Sequence, residues 1–470
     1  MVLALGCSHG GSPGAARDAG PTEHDAEITP GRDASSQNDG SVTTDDDACT
    51  ARALAEPRVA TTYYVAIEEP GADNDACDGT AARDEGAGHC PFKDFSSPKT
   101  LGLLDGVRGV RVELRRGTYV IHGWGGVPVR GAGTSESERV VLSAYAGEHP
   151  VLDVAAPDGA SCTAANARQN PDCVRQVLDV SGTYTTVQGL TIQNGLAYHV
   201  AIVGGAHHVF RCNTLHETVA FPMRSDCLKI AGDGHDIQVL HNDFSRFRSQ
   251  AIDMTQVSDV LIEDNDFHDP VDADGGATGT KFGAHRVMIR GNRVHDFGAS
   301  TQMHAFSLGG TGSGHPDDHA AYEVQLIGNH VSGIAGILAQ LVSCVDCVVA
   351  DNVLSGAGAG VLVSSAGTGD PNCTAAADGC GPNTGARITG NRMRNLDGGG
   401  DPEQADTFIA VDQGEETGLV VDDNTYCATG SEGPRFEFMG HPLTLNAWRQ
   451  ATSQDARSQA LNASDPTCQL

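Results

Sequence analysis

Lys229, Asp253 and Lys281 each stand alone between two apolar or small neighbours, in the triplets Leu-Lys-Ile, Ile-Asp-Met and Thr-Lys-Phe. Other titratable residues gather around them. Arg224 and Asp226 precede Lys229, Arg248 precedes Asp253, and Asp269, Asp272 and Asp274 precede Lys281. His304, His315, Asp317, Asp318 and His319 fill the next long polar stretch. Such a set suits removal of a proton next to a carboxylate. That chemistry needs a base, and a cation to neutralise the carboxylate and acidify the C–H bond. Lys281 is the expected base, helped by any cation that lowers its pKa. Lys229 is expected to steady the substrate carboxylate, with Asp253 and His304 completing the catalytic group. Arg224, Arg248 and His315 are candidates for holding substrate. Asp226, Asp272 and Asp274 offer the oxygen ligands that Ca²⁺ prefers.

The elements that position these residues repeat along the chain. The phrase apolar–x–apolar–x–x–Asn–x–apolar recurs in "IQVLHNDFSR", "VLIEDNDFHD", "VMIRGNRVHD", "VQLIGNHVSG" and similar segments. Its Asn falls at Asn213, Asn242, Asn265, Asn292, Asn329, Asn352, Asn391 and Asn424, at spacings from 23 residues upward. Alternation at period two marks short, half-buried strands. Short strands with an Asn at a fixed turn predict a parallel β-solenoid, whose stacked coils make one core. The turn Asn is expected to tolerate left-handed φ and to bond its counterpart in the next coil. A leucine-rich repeat would need a helix per unit, and a propeller longer blades marked by Trp and Asp.

Aligned by their apolar residues, the triplets put Ile202, Lys229, Asp253, Lys281, Ser307, Gln340 and Leu362 in one outward column. Successive coils lie about 4.8 Å apart. The bland reading of this column is cross-strand electrostatics, about 0.2–1 kcal/mol per pair. The sharper one is the floor of a groove walled by polar turn loops. His268 and His295 follow the Asn phrase in successive coils and are expected to stack.

The formal net charge is −31. That excludes non-specific nucleic-acid binding and requires local cations or a metal at any polyanion site. Gly is abundant at 59 residues and aromatics are scarce at 5%, a composition of loops and turns. Fourteen cysteines predict an oxidising compartment. Cys77/Cys90, Cys162/Cys173, Cys373/Cys380 and Cys344/Cys347 form short-range candidate pairs. Cys49 is a candidate for having no intramolecular partner. Residues 1–7 resemble a truncated lipoprotein signal, with Cys7 the lipidated residue and the single membrane attachment. Residues 8–56 read as a flexible linker, too poor in apolar side chains to offset ordering entropy, and 57–470 as the solenoid. Ser97-Pro98 predicts a short capping helix.

Both flanks carry a resemblance. "TTYYVAIEEPGADNDACDGT", "CPFKDF", "VELRRGTYVIHG" and "GEHPVLD" look like the opening of secreted bacterial right-handed parallel β-helix proteins, the pectin-lyase-like superfamily. "WRQATSQDARS" is similar to the Trp–Asp–Ser segment that closes many of them. The likeness covers roughly 61–465. Residues 276–296 look like the Lys-bearing coil of β-helix lyases acting on alginate, chondroitin or pectin. Those acting on alginate also carry Arg-His-Gly one coil later, whereas here "QMHAFSLGG" has His304 and no Arg. The resemblance implies an all-β right-handed parallel β-helix with a capping helix. It implies extracellular life. The Lys-bearing coil and the site residues lead us to expect a calcium-assisted lyase cleaving an acidic polysaccharide. The chain is expected to be a monomer, surface-tethered through Cys7. A non-catalytic carbohydrate-binding solenoid and a glycoside hydrolase using paired carboxylates are the alternatives.

Overall fold

The computed structural model describes residues 49–50, 55–154, 162, 168–218, 226–271, 276–298, 304–310, 319–355, 359–364, 381–394, 407–412, 416–428 and 434–468. Arg224, Asp272, Asp274, His315, the Cys373/Cys380 pair and Cys7 lie outside them.

Each coil contributes three strands. The middle of the chain shows the unit: Asp226–Ala231, His235–Leu240 and Asp243–Ser245, followed by Gln250–Thr255, Ser258–Glu263 and Asp266–His268. Every strand pairs in parallel with its equivalent in the next coil. The short third strands form a separate twelve-stranded sheet, from Gly117–Ile121 to Gln459–Asn462. The first two strands of each coil share one long bent sheet. Parallel strands joined by crossovers wind to the right.

Alternate side chains fill the axis. Leu228, Ile230, Ile252, Met254, Val260, Ile262 and Phe267 are completely or almost completely buried. Phe244 stacks on Phe267 at 5.1 Å between ring centroids. Each such side chain contributes about 1.5–3 kcal/mol by leaving water.

The Asn residues form a continuous buried ladder. Asn265 Nδ2 donates to Asn292 Oδ1 at 3.0 Å, and Asn265 Oδ1 accepts from Asn242 Nδ2 at 2.9 Å. The same link joins Asn213 to Asn242 at one end and Asn391 to Asn424 at the other. The left-handed residue is not the Asn itself but the one before it. Cys212, His241, Asp264, Asp351 and Asp423 have φ between 52° and 59°. The Asn is thus freed to bond, while its neighbour makes the turn.

Both ends are closed. Ser97 Oγ caps the helix Pro98–Leu101 by accepting from Thr100 N. At the other end Asp455 accepts from Trp448 Nε1 at 2.7 Å and Tyr426 Oη at 2.8 Å, and also from Ser458 Oγ. The three residues of the closing motif therefore meet in one buried cluster.

The described cysteines pair as Cys77–Cys90, Cys162–Cys173, Cys344–Cys347, Cys427–Cys468 and Cys49–Cys212. The last pair corrects the expectation that Cys49 lacks a partner. Nearby, Arg111 donates to the carbonyls of Ala55 and Pro57, and Arg211 to that of Glu56. The solenoid thus grips the chain upstream of residue 57. Cys227 is the one free cysteine among the described residues, and it is buried.

Candidate functional site

The strand register redraws the outward column. Lys229 pairs with Asp253, as expected, but Asp253 pairs with Gly279 and Lys281 pairs with Thr255. Upstream, Ala201 rather than Ile202 faces Lys229, and Ile202 is buried in the core. The column runs Asp179, Ala201, Lys229, Asp253, Gly279, Ser307, Gln340, Leu362. The triplet alignment failed at 278–280. Thr278 and Thr280 are fully buried polar residues in inward positions, where an apolar pattern points elsewhere.

Lys281 nevertheless joins the group. It lies two residues further along its strand and reaches back over Gly279, placing Nζ 2.9 Å from Asp253 Oδ1. Lys229 Nζ holds Asp253 Oδ2. One carboxylate is therefore clasped by two ammoniums. Asp253 is 7% exposed, Lys229 15% and Lys281 32%. Two ammoniums face the Asp253 carboxylate, and the Asp226 carboxyl beside them balances the second cation once it ionises.

A second column stands beside the first, at the start of the same strands. It reads Tyr198, Asp226, Gln250, Gly276, His304, Ile337. Asp226 is nearly buried, and its Oδ1 accepts from the Gln250 backbone N–H at 3.1 Å. Burial, and then the Asp253 charge, push the Asp226 carboxyl up to about 6. His304 faces Gly276, and burial lowers its imidazole pKa. Among the described residues, the buried Gln250 Oε1 and His304 Nδ1 of this face make no hydrogen bond, and Asp253 Oδ1 has the ion-pair contact with Lys281 alone. Buried polar groups are normally satisfied, so these atoms have bonding capacity left for water or a ligand.

Between them lies a bare strip. The strand Gly276–Lys281 has glycine at 276 and 279, the positions in register with Gln250 and Asp253. A Cβ on Gly276 would come within 2.5 Å of Gln250 Oε1 and 3.0 Å of the His304 carbonyl. The strip separates the Asp226–Lys229–Asp253–Lys281 cluster from His304 by one coil. Sequence reasoning missed Gln250 and the two glycines. Their signal was "GATGTK", a strand with two glycines three residues apart ahead of its lysine.

The remaining candidates divide. Arg248 Nε donates to Glu217 Oε2 at 2.6 Å, and Glu217 is buried, so Arg248 is held in an internal ion pair. A metal cradle is not formed among the described residues. Asp253 is occupied by the two lysines, and Asp226 stands alone beside Lys229. The described donors therefore do not fit a calcium ion.

His268 and His295 stack as expected, with centroids 5.2 Å apart and planes 7° from parallel. His268 bridges Asp243 and Asp269 at 3.2 and 2.8 Å. Those hydrogen bonds, led by that to Asp243, raise its pKa to about 9. It is a structural cation of the opposite sheet.

No protein-family profile and no curated protein matches the chain. Solved structures do. The complex of XylC with xylose is 9% identical, covering 81% of this chain and 86% of that one, with a TM-score of 0.49. The A-module of the Azotobacter vinelandii mannuronan C-5 epimerase AlgE4 is 11% identical, covering 84% and 99%, with a TM-score of 0.40. The Streptococcus pneumoniae surface protein and adhesin PfbA is 10% identical, covering 61% and 90%, with a TM-score of 0.39. Likeness at this level says nothing of activity, and the fold rests on the strand register itself. By that register the chain is a parallel β-helix, wound to the right as parallel crossovers are.

Proposed function

We propose that the floor around Asp253 binds an acidic, uronate-containing polysaccharide and cleaves it by β-elimination. The observation that carries this reading is the clasp of Lys229 and Lys281 on Asp253, with the Asp226 carboxyl at about 6 beside it. In a strongly acidic chain, two ammoniums brought together on one face are what an anionic sugar can pair with. The two ammoniums neutralise the uronate carboxylate and so acidify the adjacent C–H bond. Ion-paired as it is, Lys281 serves this reading as a cation rather than as the base. Asp226 takes the proton, its pKa lying close to neutral as an efficient general base requires. The C=C bond forms as the glycosidic C–O bond breaks, and the leaving oxygen takes a proton from water. His304 contacts the sugar unit across the glycine strip through Nδ1. No step runs through calcium. That ion remains a proposal resting on Asp272 and Asp274, which lie outside the described residues. The five disulfides among the described residues support an extracellular setting. Surface tethering through Cys7 and a monomeric state complete the proposal.

One observation favours glycoside hydrolysis as a second reading. Asp226 and Asp253 are neighbouring carboxyls on adjacent coils, one raised and one held by cations, as an acid and its partner would be.

The test is ultraviolet absorbance of unsaturated product on pectate, alginate and glycosaminoglycans, with and without a chelator. A rise that Lys229→Ala or Lys281→Ala lowers at least about 100-fold supports elimination. New reducing ends without absorbance select hydrolysis. Neither signal, on any substrate, overturns the enzyme reading in favour of a binding solenoid. Loss of the signal with chelator alone reinstates calcium.

A further inference from the structure

The floor strands end at a corner, and at that corner one aromatic side chain breaks the pattern of the rest. Val203, Ala231, Thr255 and Lys281 are in register. The residues that follow them are Gly204, Gly232, Gln256 and Phe282, with φ of 65°, 73°, 55° and 58°. Two of the three preceding coils use glycine in this left-handed slot and the third a flexible polar side chain. A phenylalanine there is strained, and strain of this kind collects at functional positions. Packing does not account for it. Of the phenylalanines among the described residues, Phe282 alone neither belongs to the core nor packs against it.

Phe282 lines an open cleft of about 520 Å³ with Asp233, Gln256, His285, Tyr322 and Glu323. Arg286, also at its edge, is engaged with Asp259 at 2.6 and 2.7 Å. The lining therefore offers aromatic faces and hydroxyl-accepting carboxylates, and holds its arginine in an ion pair. That is a surface for the C–H face and hydroxyls of a sugar ring, not for a carboxylate. Phe282 follows Lys281 directly in the chain, so the cleft begins at the corner where the strand bearing the clasp ends.

We infer that this corner cleft is a second saccharide subsite, in which a pyranose ring of the bound polysaccharide stacks on Phe282 while its hydroxyls meet Asp233, Gln256 and Glu323. The inference deepens the proposed function and rests on it for the identity of the chain bound at the clasp. Together the two regions select a substrate whose carboxylate lies at Lys229–Lys281 and whose neighbouring unit presents an apolar face.

The experiment is calorimetric titration of the full chain with oligogalacturonate, oligomannuronate and chondroitin oligosaccharides, paired with turnover on whichever is cleaved. Phe282→Gly suits the left-handed backbone, so it retains the fold and its melt is unchanged or raised. It is expected to weaken binding and raise KM about tenfold at unchanged kcat, while Phe282→Tyr preserves both. Lys229→Ala is expected to abolish turnover yet leave measurable binding that Phe282→Gly then removes. Wild-type binding undiminished in Phe282→Gly overturns the subsite and leaves the clasp intact. No binding of any of these saccharides by the wild-type chain overturns both.

Discussion

Two ladders run along this solenoid, and they obey opposite rules. Inside, the Asn ladder satisfies every polar atom it can. Asn265 accepts from the N–H and amide of Asn242, and donates to Val239 O, Glu263 O and Asn292 Oδ1. Outside, the floor of the first sheet leaves Gln250 Oε1 and His304 Nδ1 unpartnered and holds a carboxyl out of its usual range. The same coil geometry produces both. The difference is that the inner ladder repeats one residue, whereas the outer column changes residue at every coil. Repetition lets each group satisfy the next; variation leaves groups with no partner among the described residues.

Removing a rung of the inner ladder is expected to cost most. Asn265→Ala orphans the Asn242 N–H and the Val239 carbonyl, among others, at about 1–3 kcal/mol per buried group. Thermal unfolding should fall by roughly 5 °C or more. A melt within a degree of wild type would erase the contrast between the ladders.

Asp226→Asn should act in the opposite direction, and in a pH-dependent way. Burial and Asp253 raise the folded-state pKa of Asp226 from 3.8 to about 6. The neutral form is thus favoured by folding, and this contribution is present below about pH 4 and lost as pH rises through 6. At pH 7.5 the variant should be more stable than wild type by about 1–3 kcal/mol, with little difference at pH 4. Parallel melting curves across pH 4–8 are the check. Equal stabilities at pH 7.5 would mean that Asp226 is an ordinary surface acid.

The smallest effect on stability is expected at Gln250→Ala. Its amide oxygen bonds nothing, so truncation should change the melt by no more than about 0.5 kcal/mol. Substrate affinity should fall all the same. A large loss of stability would show that Gln250 is an architectural residue like the Asn rungs.

Much of this was legible before the structure. The Asn phrase disclosed the coils because period-two alternation and a fixed turn residue are local signals. Trp448, Asp455 and Ser458 were recognisable as a closing motif, and they meet at one buried carboxylate. Lys229 and Asp253 were matched correctly because Leu228, Ile230, Ile252 and Met254 flank them with apolar residues. Lys281 was displaced by two positions because its coil buries Thr278 and Thr280, which read as polar. Gln250 and the glycine strip carried no chemical signal of their own.

The sequence by itself determined the repeating unit, the parallel stack, the capping helix and most of the short-range cysteine pairs. Each depends on residues close in the chain or on a pattern repeated many times. Tertiary structure alone decided the partners that no pattern encodes. Lys281 returns across Gly279 to share Asp253 with Lys229. Asp226 acquires a pKa near 6 by burial beside Asp253. Cys49 finds Cys212 across 163 residues. In a solenoid, register sets which outward side chains meet, and a shift of two residues keeps every side chain on its face while changing all its neighbours.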